Sequence, residues 1–170
     1  MPTSTDLPRQ HLCTQELDID APASAVWEVL ADFNNAYLWA PSVSHSYGLT
    51  DAERCVGAAR RCTVEGFGTI DEHITEWTEG RGFTFTVTPV GPFAGSHSRW
   101  RIQSRGPGRS RVSIELGYDV RFGFMGGLMN ALVLKDKLET NLAGVLQSLK
   151  TRVETGAEIR PRVAAQRSAG

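Results

Sequence analysis

Two ionisable residues stand on strand faces that are otherwise apolar, Arg60 in AARRCTV and Glu72 in GTIDEHITEW. Alternation with Ala58, Cys62, Ile70 and Ile74 turns both toward the interior, and a tight turn around Gly66 sets them opposite each other. Burying either charge alone is costly, so they are expected to pair. As an enzyme site, Arg60 holds the oxyanion of an enolising carbonyl while Glu72 exchanges a proton. As structure, the same residues form an ion pair or a polar anchor for a ligand's hydroxyl or carboxylate. His45 is the third candidate catalytic group, because alternation of Val43, His45, Tyr47 and Leu49 turns it inward as an acid or base. The pattern favours an exposed or partly buried histidine with no chemical task over that role.

In DEHITE, the residues Glu72, His73 and Glu76 are metal-ligand types at close spacing. On a strand His73 points away from both glutamates, so one ion cannot reach all three. Neither a metal nor a cofactor is expected. The chain carries no GxGxxG, Walker loop, GxSxG or HExxH, which removes the commonest nucleotide, hydrolase and zinc-protease readings.

The elements that must hold these residues follow from pattern. Leu12 to Asp20 alternates as a first strand, Asp20 is expected to cap a helix reading AVWEVLADF with Pro22 in its first turn, and a second short helical piece, NNAYLWAP, stops at Pro41. Strands are predicted at about 43–50, 57–65, 67–77, 82–89, 95–105 and 110–122, separated by the turn-forming stretches EGFG, TEGRG, PVGPFAG and GPGRS. A long amphipathic helix closes the chain from about Phe124 to Glu154. Its stripe of Leu128, Ala131, Leu134, Leu138, Leu142, Val145, Leu149 and Val153 follows helical spacing. The fold class is therefore α+β: a curved antiparallel sheet of about seven strands wrapped around one long C-terminal helix, with two short helices after the first strand. Residues 10–156 form a single domain, with residues 1–9 and 157–170 as flexible tails.

With the turns as pivots, Arg60 faces Glu72, Cys62 faces Ile70 and Ala58 faces Ile74. The next hairpins set Glu72 beside Phe85, Ile74 beside Phe83, Phe85 beside Trp100 and Val87 beside Ser98, and the last sets Trp100 opposite Ile114 and Ser98 opposite Leu116. One face then reads Arg60, Glu72, Phe85, Trp100, Ile114. The other reads Arg61, Asp71, Thr86, Arg99, Glu115, alternating charge that suits water. Small inward residues, Ala58, Gly68, Ser96 and Ser98, either let the helix pack close or leave volume unfilled, and the second reading gives a space between sheet and helix. The expected walls of that space are Ile70, Phe85, Ser98 and Trp100 from the middle strands, with Leu116 and Tyr118 from the last. Tyr37, Trp39 and Tyr47 are expected at its mouth, with Met125, Met129 and Leu132 from the start of the long helix.

The 170 residues, 41% hydrophobic and 22% charged, suit one globular domain with its own core. A net charge of −1, with arginines interleaved among acids, argues against nucleic acid as a partner. Cys13, Cys55 and Cys62 show no CxxC spacing, which fits a reducing compartment. No stretch approaches the roughly 18 apolar residues of a membrane span, and MPTSTDLPRQ lacks a signal-peptide pattern. A cytoplasmic location and no integral membrane contact are expected, and a homodimer is compatible with the pattern.

Three stretches, APASAVWEVLADFNNAYLWAP, VGAARRCTVEGFGTIDEHITEWTEGRGFTFTV and FMGGLMNALVLKDKLETNLAGVLQSLKTRVETG, together resemble the START-like (SRPBCC, helix-grip) superfamily, within it the polyketide cyclase/dehydrase and lipid transport family. The resemblance spans about residues 12–156. It implies a hydrophobic cavity between sheet and helix for lipids, polyketides or aromatic intermediates. It also implies that Arg60 matches the inward arginine of aromatase/cyclase members. Two functions follow as expectations. One is a hydrophobic small-molecule binder that acts as a polyketide cyclase/dehydrase through acid–base enolisation. The alternative is a non-catalytic carrier or sensor of a lipid, quinone or similar apolar ligand.

Overall fold

The structure, a computed structural model, describes residues 11–121 and 127–159, with 127–131 given by their backbone alone. Seven strands, β1 (His11–Ile19), β2 (Val43–Gly48), β3 (Ala59–Val64), β4 (Gly68–Thr78), β5 (Gly82–Val87), β6 (Phe93–Ser104) and β7 (Ser110–Val120), form one antiparallel sheet in the order β1-β7-β6-β5-β4-β3-β2. Two short pieces, α1 (Ala23–Ala31) and a 3-10 segment (Phe33–Leu38), follow β1, and α2 (Gly127–Thr155) closes the chain. This is the expected helix-grip architecture. The predicted start of the long helix near Phe124, the stripe residues Leu128 and Ala131, and most of both tails lie outside what the structure describes.

The core sits between the inner sheet face and two helices. Val26, Trp27, Leu30 and Ala31 are the buried face of α1. On α2, Leu142, Leu146 and Leu149 are buried, and Leu134, Leu138, Val145 and Val153 pack partly buried against the same core. The periodic stripe thus points as read, with Leu146 added to it. Asp20 does not cap α1. Pro22 occupies the cap in extended conformation and its carbonyl accepts from the Ala25 amide at 3.0 Å. Asp20 stands two residues too early to reach the first turn, and its carboxylate pairs instead with Arg109 at 3.2 Å and Lys150 at 3.6 Å.

Register is where sequence and structure part. Arg60 faces Glu72, Cys62 faces Ile70, Trp100 faces Ile114 and Ser98 faces Leu116, as expected. In between, Glu72 faces Val87 rather than Phe85, Ile74 faces Phe85 rather than Phe83, and Trp100 and Ser98 face Phe83 and Phe85. Each displacement is two residues, so these side chains keep their faces while their level along the sheet changes. Between β4 and β5 the cause lies in their hairpin, which turns about Gly80, at positive φ of 72°, and contains a bulge between Ile74 and Glu76. The bulge absorbs one residue and brings Trp77 onto the inner face opposite Phe83. Gly82 permits the close approach of β5 to β6: at φ 141°, an added Cβ would lie 2.0 Å from the Trp100 carbonyl oxygen.

The outer face carries the ion pairs. Arg61 grips Asp71 through two hydrogen bonds of 2.6 and 2.8 Å, and Arg111 grips Asp18 likewise at 2.7 and 2.9 Å. Hydrogen bonding from Arg61 holds the Asp71 carboxyl below the usual carboxylate range. Because the folded-state value is depressed, this contribution is present above about pH 4 and is lost as pH falls. Asp71→Asn should therefore flatten the loss of stability below about pH 4, read by urea denaturation across pH. Leu149→Ala, which empties a fully buried site between α2 and the sheet, should cost about 2–5 kcal/mol, seen as a lower urea midpoint at unchanged slope.

Candidate functional site

Arg60 and Glu72 are both buried, 8% and 7% exposed, on directly paired positions of β3 and β4. Arg60 Nε donates to Glu72 Oε2, and Nη1 donates to the Phe33 carbonyl where α1 gives way to the 3-10 segment. Its guanidinium carbon lies 3.9 Å from the centre of the Phe33 ring and 5.6 Å from that of Phe85, so two aromatic faces flank the cation. The Cys62 thiol, 3.8 Å from Glu72 Oε2, donates to the same oxygen. Burial pushes that thiol up to about 12, which keeps it a proton donor.

Beside the pair lies a cavity of about 190 Å³. Val64, Phe67 and Ile70 close it along the β3–β4 hairpin, and Glu72 brings its carboxylate to the wall. Phe85, Val87, Val90 and Phe93 continue the wall over β5 and the start of β6. Ser96, Ser98, Leu116 and Tyr118 line β6 and β7, and Leu138 of α2 covers the space from the helix side. Arg60 is not in the wall; it stands behind Glu72 and orients it. The Tyr118 hydroxyl is pushed up to about 12, first by burial and then by the neighbouring Cys13 thiol. Its ring stacks on His11 at 5.1 Å and meets Phe93 edge-on at 5.6 Å.

Of the residues expected to line a ligand, Ile70, Phe85, Ser98, Leu116 and Tyr118 do face this cavity together with Glu72. The others lie elsewhere. Trp100 is a core residue, because the two-residue register change lowers it to the level of Phe83, where Trp39 meets it edge-on at 5.8 Å. A bulge between Val43 and His45 reverses the alternation of β2. Ser46 is therefore the buried residue, donating to the Asn34 carbonyl at 2.7 Å, whereas His45 and Tyr47 are exposed. Tyr37 is half-buried against the core, its ring 6.2 Å from that of His45 and outside the cavity wall. Leu132 is 63% exposed, and Met125 and the Met129 side chain lie outside the described residues.

Val90 and Phe93 were hidden to sequence reading by the turn chemistry of PVGPFAG, which the chain folds into a small bridge between these two residues over the cavity. Val87 and Ser96 reach the level of Glu72 only through the changed register. Phe67 sits at the tip of a hairpin and carried no periodic signal.

The family described as polyketide cyclase / dehydrase and lipid transport matches residues 10–154. No curated protein matches the chain. Among solved structures, a START superfamily protein from Mycobacterium smegmatis is 19% identical, with a TM-score of 0.71 over 85% of this chain and 97% of that one. The Zhui aromatase/cyclase from Streptomyces is 18% identical, with a TM-score of 0.65 over 87% and 98%. The di-domain aromatase/cyclase BexL is 16% identical, with a TM-score of 0.68 over 85% of this chain and 46% of that one. At these identities the likeness is one of fold.

Removing one member of the buried pair leaves the other charged and unpaired. Arg60→Met alone should cost about 3–5 kcal/mol in urea denaturation, whereas Arg60→Met with Glu72→Leu should recover most of the loss. Native protein treated with iodoacetamide at pH 8 should gain one adduct by mass spectrometry, at the exposed Cys55, because Cys13 and Cys62 are buried and burial raises the pKa of both thiols.

Proposed function

For a chain that belongs to the polyketide cyclase / dehydrase and lipid transport family of START-like proteins, we propose that it binds one hydrophobic small molecule between sheet and helix, with the Glu72 carboxylate as the polar anchor. The carrying observation is a cavity whose described lining is apolar except for Glu72, two serines and a tyrosine. Apolar walls supply the driving force for ligand entry, and the few polar groups fix its orientation. Arg60 serves as a positioning residue, since its contacts with Glu72, the Phe33 carbonyl and two rings use the guanidinium behind the wall.

A second reading, acid–base chemistry on a polyketide-like substrate, is favoured by one observation. Glu72 borders the cavity while Arg60 and the Cys62 thiol both meet its Oε2, an arrangement that suits a fixed base next to a carbonyl compound. His45 and Arg60 do not border the cavity, so the proton transfer would fall to Glu72, with Tyr118 of β7, which also lines the cavity, as the donor.

Native mass spectrometry of protein purified from its own host tests the binding reading. A small apolar molecule released on denaturation is the expected result, and failure of every apolar probe to bind saturably would sink it. Glu72→Gln separates the two readings. An enzyme should lose about 100-fold or more in turnover while still holding ligand, and a carrier should change only in affinity.

A further inference from the structure

We propose that the cavity takes a neutral, hydroxyl-bearing aromatic of one or two fused rings, and that it turns away long acyl chains, larger polycycles and carboxylates. This rests on the binding reading above and narrows it to a ligand class. Size comes first. At about 190 Å³ the space exceeds only slightly the roughly 150 Å³ cavity known to hold benzene, and lies below the roughly 300–1,000 Å³ of drug-sized sites. By that comparison the space suits a guest of one or two fused rings.

Toward the other end of the sheet the described inner face is filled. Phe83 stacks on Trp77 at 5.7 Å and lies 5.7 Å from Phe33 and 6.3 Å from Trp100, so this end of the inner face is an aromatic plug. Phe85 belongs to both worlds. It lines the cavity and touches the plug, 6.1 Å from Phe83 and 5.9 Å from Phe33, so it is the wall that limits ligand length.

Chemistry comes second. Phe67, Phe85 and Phe93 offer ring faces and edges to an aromatic guest. Among the described lining residues Glu72 is the one charged group, and none is Lys or Arg. A ligand carboxylate would sit beside a carboxylate with no cation in the wall to receive it, whereas a hydroxyl can donate to Glu72. Ser96 and Ser98, two strands away from Glu72, accept or donate to a second oxygen.

Titration calorimetry of the full chain at pH 7.5 with 2-naphthol, 2-naphthoate, 2-hydroxyanthracene and oleate tests this. Saturable binding of 2-naphthol, about tenfold or more tighter than 2-naphthoate, is expected, the worth of about one hydrogen bond to a charged group. Hydroxyanthracene and oleate should show none. Phe85→Ala should admit hydroxyanthracene, with Phe85→Leu as the milder change. In the Arg60→Met, Glu72→Leu double variant, which keeps the site free of unpaired charge, the preference for naphthol over naphthoate should vanish. Wild-type binding of oleate or hydroxyanthracene as tight as naphthol would overturn the size and class assignment and leave the binding reading standing. A naphthol preference that survives in the double variant would overturn the role of Glu72. Absence of saturable binding by all four probes would overturn the binding reading itself.

Discussion

A guanidinium and a carboxylate withdrawn from water together set the conditions under which this fold can keep a hollow. Each charge buried alone would cost several kcal/mol, and the pair is tolerable because cross-strand neighbours bring the groups into direct contact. The Phe33 carbonyl accepts a further guanidinium hydrogen, and the Phe33 and Phe85 rings flank its faces. The pair thereby ties β3 and β4 to the junction of α1 with the 3-10 segment. It also leaves a carboxylate edge at the cavity wall, where a polar group is otherwise expensive.

The shape of the hollow depends on two irregularities. A two-residue offset between β4 and β5, set at the Gly80 hairpin with its β4 bulge, and a second between β5 and β6 shift β5 by two and β6 by four residues relative to β4, which places Val87 and Ser96 at the level of Glu72 in place of Phe85 and Trp100. Two large rings are thus exchanged for two small side chains beside the carboxylate. The rings so displaced do not go to solvent. They pack against Phe83, Trp77 and Trp39 in a buried aromatic cluster toward the other end of the sheet, with Phe85 at its border with the cavity.

Much of the site was legible because alternation is a local property. Arg60, Glu72, Ile70, Phe85, Ser98, Leu116 and Tyr118 all point inward as their spacing required, and a two-residue change of register cannot alter that. His45 and Tyr47 were misjudged for the opposite reason. A one-residue bulge does reverse a face, and the bulge before His45 has no marker in VSHSYG. Trp100 kept its face but not its neighbours, so an aromatic expected against a ligand became core.

The amino-acid pattern by itself determined the helix-grip class, the apolar stripe of the closing helix and the inward faces of Arg60 and Glu72, since these follow from periods of 3.6 and 2 within single elements. The β4 bulge, by contrast, turned Glu76, read on the face of Glu72, to the outer face beside Thr84 and Arg99. Only the tertiary structure decided which residues stand at one level across the sheet and how much of the hollow stays empty. Those depend on bulges, on a glycine-permitted approach of β5 to β6 and on the fit of one aromatic cluster. Such features are settled by packing among distant segments rather than by the preferences of any one of them.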